Sequence, residues 1–200
     1  MAKRKGANKE NLVETRKIFL RAGLEEFCEH GYANASTSRI VGASDMARGS
    51  LYYHFGDKQG LFIAIYEDLM NNAIHKVEKL MDAENNTWAS FITGTTEFLK
   101  LCTDKKFRKI VLIESQSAIT FEKRVEMHKK TFLGKLHSIL TELFEQGYFK
   151  NYSIETLSVI IFGMLAEIGR ALHYAPDTKT ALNAFEQSFI LSMESMAKKQ

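Results

Sequence analysis

Apolar residues along this chain recur three and four positions apart almost everywhere, which is the period of helices with one buried face. Val13, Leu20, Leu24 and Phe27, widened by Phe19 and Cys28, predict a first helix over about residues 10–30, and Gly31 is placed to end it. A short second helix follows, with Ser36 or Thr37 as its cap, and is interrupted at Gly42 and Ser44-Asp45. A third, of about two turns, runs from Ala47 to Phe55-Gly56. Asp57 then caps a long fourth helix over 58–81, whose seam is Phe62, Ile65, Leu69, Ala73, Val77 and Leu80.

Five further helices are predicted over 88–102, 106–119, 122–146, 153–173 and 177–197. Gly147 and Pro176 punctuate them, and Ser153 and Asp177 act as caps. About nine helices in all, with one proline in 200 residues and few glycine clusters, define an all-α fold. Strands and hairpins would need turn punctuation that is missing. The last two helices, about 154–174 and 178–197, are apolar on more than one side. Gly163, Ala166 and Gly169 permit close approach of another helix, which suits a homodimer interface.

Composition adds little until it is divided. Hydrophobic residues make up 45% of the chain, enough for a substantial core, and the net charge is +3. Residues 1–60 carry 10 Lys/Arg against 7 Asp/Glu, and the remainder is neutral. The basic excess sits at the amino end, where Lys3, Arg4, Lys5 and Lys9 form a polar, mobile arm suited to a polyanion. No apolar run approaches the roughly 20 residues that span a bilayer, and no signal-peptide pattern follows the first residues, so a soluble, cytoplasmic protein is expected. Cys28 and Cys102 lack zinc spacing. His128, His137 and His173 have no metal-ligand spacing either and are given ordinary surface or interface roles. No cofactor is indicated. No nucleophile–base pair, carboxylate dyad or metal cluster appears at helical spacing, which argues against an enzyme.

The stretch Thr37–Phe55 carries the chemistry. A helix that enters a DNA major groove needs a small leading residue, donors in its first turn and polar side chains facing outward. Arg48, Gly49 and Ser50 fit that start. Tyr52, Tyr53 and His54 put polar tips on the outer faces, and Leu51 and Phe55 turn inward. Thr37 and Lys58 flank the groove as phosphate contacts. In the second half, Trp88, Phe91, Phe98, Phe132, Phe144 and Phe162 are candidate walls of a ligand pocket. Glu114 and Glu167, each inside an apolar run, are candidates for a pocket charge that would suit a cationic or hydrogen-bond-donating ligand.

Phe27-Cys28-Glu29-His30-Gly31-Tyr32, Ile40, Arg48-Gly49-Ser50-Leu51-Tyr52-Tyr53-His54-Phe55 and Lys58-Gln59-Gly60-Leu61-Phe62 resemble the amino-terminal signature of the tetracycline-repressor (TetR) family. Ile40-Val41 and the Tyr-Tyr-His-Phe block look most like its multidrug-responsive branch. The resemblance covers about residues 12–66. It implies a DNA-binding domain over 1–57 and a helical ligand-binding and dimerisation domain over 58–200. The expected protein is a homodimeric repressor released from a pseudo-palindromic double-stranded operator by a small-molecule effector. The resemblance carries DNA contacts onto Thr37, Arg48, Gly49, Ser50, Tyr52, Tyr53, His54 and Lys58. The alternatives are an architectural DNA binder without a ligand and a helical carrier or enzyme. Where the family's turn commonly has glycine this chain has Asp45, which must adopt the left-handed conformation and is also a candidate cap; Ala47 replaces a capping serine.

Overall fold

The computed structural model describes residues 2–197, with side chains from residue 11 onward. The side chains of the basic arm therefore lie outside the described residues. Ten helices are present among those described: α1 Ala2–Asn34, α2 Thr37–Ser44, α3 Arg48–Phe55, α4 Lys58–Met81, α5 Thr87–Leu101, then α6, composed of Lys105–Phe107, a π-helical Arg108–Glu114 and Ser115–Ala118. After it come α7 Phe121–Lys130, α8 Phe132–Glu145, α9 Ile154–Ala171 and α10 Thr178–Met196. The tenth arises because the helix expected over 122–146 breaks at Thr131, whose φ of −121° and ψ of −120° are not helical. Gly134 makes the break feasible, since a Cβ there would run into the Lys129 carbonyl oxygen.

Two compact units form: Met1–Leu69 with Lys109–Thr120, and Met70–Arg108 with Phe121–Gln200. In the first unit α1 starts earlier than expected and passes a kink at Gly31, where φ is 71°. Its buried stripe is Phe19, Gly23, Glu26 and Phe27, whereas Val13 is 50% exposed. Gly23 is small because Leu61 and Ile65 of α4 lie where its Cβ would be. Ile40, Leu51 and Phe62 are fully buried, and the Phe27 and Phe62 rings meet edge to face at 5.1 Å.

Residues of α6 close over the base of this unit. Lys109 donates to the Cys28 carbonyl at 2.6 Å, Glu114 accepts from the Tyr32 amide at 2.8 Å, and Gln59 of α4 donates to the Ala118 carbonyl at 2.8 Å. The first two satisfy polar groups near the end of α1, and the third a carbonyl at the end of α6, that the helices' own ladders leave open. Gly31 is required here twice, by its positive φ and by the Glu114 carboxylate 3.0 Å from where a Cβ would stand.

The second unit packs α5, α8, α9 and α10 around Phe91, Leu99, Leu140, Leu143, Ile161, Leu165, Phe189 and Met193, all almost fully buried. Asn86 caps α5 by accepting from Ala89, Ser153 caps α9 by accepting from Thr156, and Asp177 caps α10 by accepting from Lys179 and Thr180. Among the described residues no helix is long and apolar enough to cross a membrane.

Candidate nucleic-acid interface

The turn between α2 and α3 sets the presentation of α3. Asp45 takes the left-handed conformation, φ 53° and ψ 31°, as the departure from glycine required. It does not cap α3: neither Ser36 before α2 nor Ala47 before α3 makes a side-chain cap bond. Ser44 holds the turn instead, donating to the Val41 carbonyl at 2.8 Å and accepting from the Met46 amide at 3.3 Å.

A buried carboxylate fixes α2 against α1. Glu26, 9% exposed, accepts from the Ser36 amide at 2.8 Å and from Arg39 Nε at 2.8 Å, with the second guanidinium nitrogen 2.6 Å away and His30 at 3.7 Å. Burial alone would raise this carboxyl, but its bonds from Arg39 and Ser36 outweigh that and hold it below the usual carboxylate range. Sequence reasoning missed Glu26. Its signal was present, because an acid at the seventh position after Phe19 and directly before Phe27 lies on the core stripe.

With Leu51 buried and Phe55 packed edge to face on Phe19 at 6.2 Å, Arg48, Gly49, Tyr52 and Tyr53 face outward. Tyr53 is 75% exposed and Tyr52 40%. Arg48 lies over the Tyr52 ring and donates to its hydroxyl at 3.3 Å. Hydrogen bonds from Arg48 and then Thr37 hold the Tyr52 hydroxyl below its usual range, so these three form one polar chain across α2 and α3. A Cβ built on Gly49 meets nothing within 4 Å, so the fold does not require glycine there. Gly49, Ser50, Tyr53 and His54 instead line a groove of about 280 Å³ with Asn11, Leu12 and Thr15 of α1.

Lys58 sits elsewhere. Its ammonium donates to the carbonyls of Tyr32 at 2.9 Å, Ala35 at 3.2 Å and Ala33 at 3.3 Å, and lies 4.7 Å from the Tyr32 ring centre. That arrangement clamps the end of α1 and completes the dipole match at a helix carboxyl end.

The candidate ligand residues are dispersed. Phe98 and Phe132 pack at 4.4 Å, Phe132 and Phe162 at 6.3 Å, and Phe91 with Phe132 borders a crevice of about 30 Å³. Trp88 stacks on Tyr148 at 5.2 Å, and Lys150 covers the Phe144 ring at 4.0 Å. Glu114 belongs to the clasp on Tyr32 described above. Glu167 is 72% exposed and pairs with Arg170 at 2.6 Å. His128 is half-buried: it lies 4.8 Å from the Phe162 ring, and burial, helped by Arg124, pushes its pKa down to about 4. Among the described residues, no group of three or more His, Cys, Asp or Glu could hold a metal ion.

A short helix behind a tight turn, with the preceding helix held to α1 by a buried carboxylate paired to a half-exposed arginine, is the arrangement of a helix-turn-helix DNA-binding regulator. The description "Bacterial regulatory proteins, tetR family" matches residues 19–65, and "Tetracyclin repressor-like, C-terminal domain" matches 88–196. The chain belongs to the tetR family and is a DNA-binding transcriptional regulator, not an enzyme. It is 29% identical over 136 residues to the HTH-type transcriptional repressor AcnR of Corynebacterium efficiens, covering 63% of this chain and 71% of that protein. Its fold matches a tetR-family regulator from Pectobacterium atrosepticum with a TM-score of 0.77 at 22% identity, over 96% and 98% of the two chains. It also matches FadR from Bacillus subtilis in complex with stearoyl-CoA, with a TM-score of 0.77 at 21% identity, over 91% and 99%.

Proposed function

We propose that this protein is a cytoplasmic homodimeric repressor that places α3 of each protomer in successive major grooves of a pseudo-palindromic operator and leaves it when a small molecule binds. The observation that carries this reading is α3 itself. Its leading turn, Arg48-Gly49-Ser50, is exposed or half-buried and sterically open, while Leu51 anchors it from behind. Thr37, Arg48, Gly49, Ser50, Tyr52, Tyr53 and His54 are the proposed DNA contacts. Lys58 contributes by fixing the end of α1 near α2.

The functional division runs between a DNA-reading domain over 1–57 and an effector and dimerisation domain over 58–200. For the dimer, Val159 and Ile160 of α9 and Leu191 of α10 are exposed, and Gly163 has open space beside it, which supports helix-to-helix association there. Ala166 and Gly169 are buried within the protomer and serve its own packing. For the effector, the apolar cluster of Phe91, Phe98, Phe132 and Phe162 supports a molecule with a hydrophobic part, as does the stearoyl-CoA held by the B. subtilis relative. Glu114 and Glu167 have other partners and do not belong to that site.

The test is a gel-shift measurement on an operator selected from random duplexes. Arg48→Ala and Tyr53→Ala should each weaken specific binding by about 1–3 kcal/mol, the scale of one groove contact. Unchanged affinity in both variants would remove α3 as the reading element. Equal affinity for operator and scrambled DNA in the wild type would instead identify a non-specific binder.

A further inference from the structure

Within the second unit an apolar crevice of about 30 Å³, walled by Val77, Phe91, Phe132 and Leu136, abuts an open groove of about 510 Å³. The two share Glu78, Met81, Lys135 and Ile139. The crevice as it stands has room for little more than a water-sized group, so a larger occupant must displace something, and the partition between crevice and groove is the part that can move. Glu78 of α4 pairs with Lys135 of α8 at 2.5 Å, with 36% and 60% of their side chains exposed. Such a solvent-facing pair contributes about 0–1 kcal/mol. Beside it, Met81 occupies the space over Gly94, its sulfur 2.6 Å from where a Gly94 Cβ would stand. A thioether on three rotatable bonds is among the easiest core groups to re-aim. Its departure would join crevice and groove.

The groove has a definite sign. Glu78, Asp82, Glu84 and Glu142 line it against Lys135 as its single base, and Lys135 is already paired with Glu78. We propose that this seam between α4 and α8 is the effector entrance and admits an amphiphile with a cationic head: the tail displaces Met81 and enters the crevice, and the ammonium stays among the groove carboxylates. The proposal rests on the regulator reading above and gives that site a ligand class. A polyanionic coenzyme A head would meet carboxylates instead, so the same apolar core would reject the head group held by the B. subtilis relative.

Dodecyltrimethylammonium below its micelle concentration and dodecanoyl-CoA serve as probes, titrated calorimetrically without DNA. The ammonium probe should bind, more weakly as salt rises, and at least tenfold more tightly than the thioester. The double variant Glu84→Gln/Glu142→Gln, checked for native circular dichroism, should lose about tenfold in affinity for the ammonium probe, and Met81→Ala should bind it at least as tightly as the wild type. Tighter or equal binding of dodecanoyl-CoA, no binding of either probe, or an unchanged double variant overturns the assignment. Operator binding by the ligand-free protein is read separately. Its failure would sink the regulator reading, whereas failure of the titration alone would sink this entrance.

Discussion

Replacing Gly49 with alanine separates stability from DNA affinity. Gly49 is the second residue of α3, its built Cβ meets nothing within 4 Å, and its φ is not in the left-handed region. Glycine costs a helix interior about 1 kcal/mol relative to alanine, and somewhat less in a first turn. Gly49→Ala should therefore stabilise the protein by about 0.5–1 kcal/mol, a rise of roughly 1–4 °C in Tm for a chain of this size. The same methyl would stand on the face proposed to approach the duplex, so operator affinity should fall by about 1 kcal/mol or more, roughly fivefold. Differential scanning fluorimetry and fluorescence anisotropy on one operator read both quantities. A higher Tm with unchanged affinity would show that the leading turn of α3 does not face DNA. A lower Tm would refute the open space on which the argument depends.

Glu26→Gln should destabilise the protein by about 2 kcal/mol at pH 7, the scale of lost charge-assisted bonds, or roughly 4–8 °C. Because the folded carboxyl lies below its usual range, this stabilisation is present above the unfolded pKa of about 4.3 and fades as pH falls through the folded value; a gap between wild type and variant that stays constant down to pH 3 would contradict the ion-pair account. Asp45→Gly should raise Tm by removing a left-handed cost on the order of 1 kcal/mol at φ 53°, and a lower Tm would show that the Asp45 side chain supports the turn. Cys102 is fully buried with its thiol pushed up to about 12, so native alkylation at pH 8 should spare it and denaturation should release it. Modification of Cys102 at the same rate as the half-buried Cys28 would overturn that burial.

Much of the architecture was legible because helix starts and stops are local. Asp57, Ser153 and Asp177 cap as their side chains dictate, and Gly147 ends a helix with φ 95°. The break at Thr131 was overlooked because the apolar period runs on through it; Gly134 was the one local sign, and glycine inside a helical pattern is ambiguous by itself. The α1 stripe was assigned to Val13, Leu20 and Leu24 in part, since a helix rich in apolar positions offers two adjacent faces. Contact with α4 at Gly23 decides between them.

For the site, the outward set on α3 followed from sequence, since Leu51 at the centre of an eight-residue helix fixes which side faces out. Lys58 and Glu114 did not. Each is a charged group whose partner is a backbone atom 23–82 residues away in sequence, at Tyr32 to Ala35, and no local pattern encodes such a pairing. The sequence by itself determined an all-helical chain, most of its caps and the outward helix proposed to read DNA, because periodicity and capping depend on neighbours three or four residues apart. The tertiary structure alone decided that Glu26, Lys58 and Glu114 fasten the end of α1 to α2, α4 and α6 and that acids gather at the seam of α4 and α8. Those roles depend on which buried dipoles and charges meet across the fold.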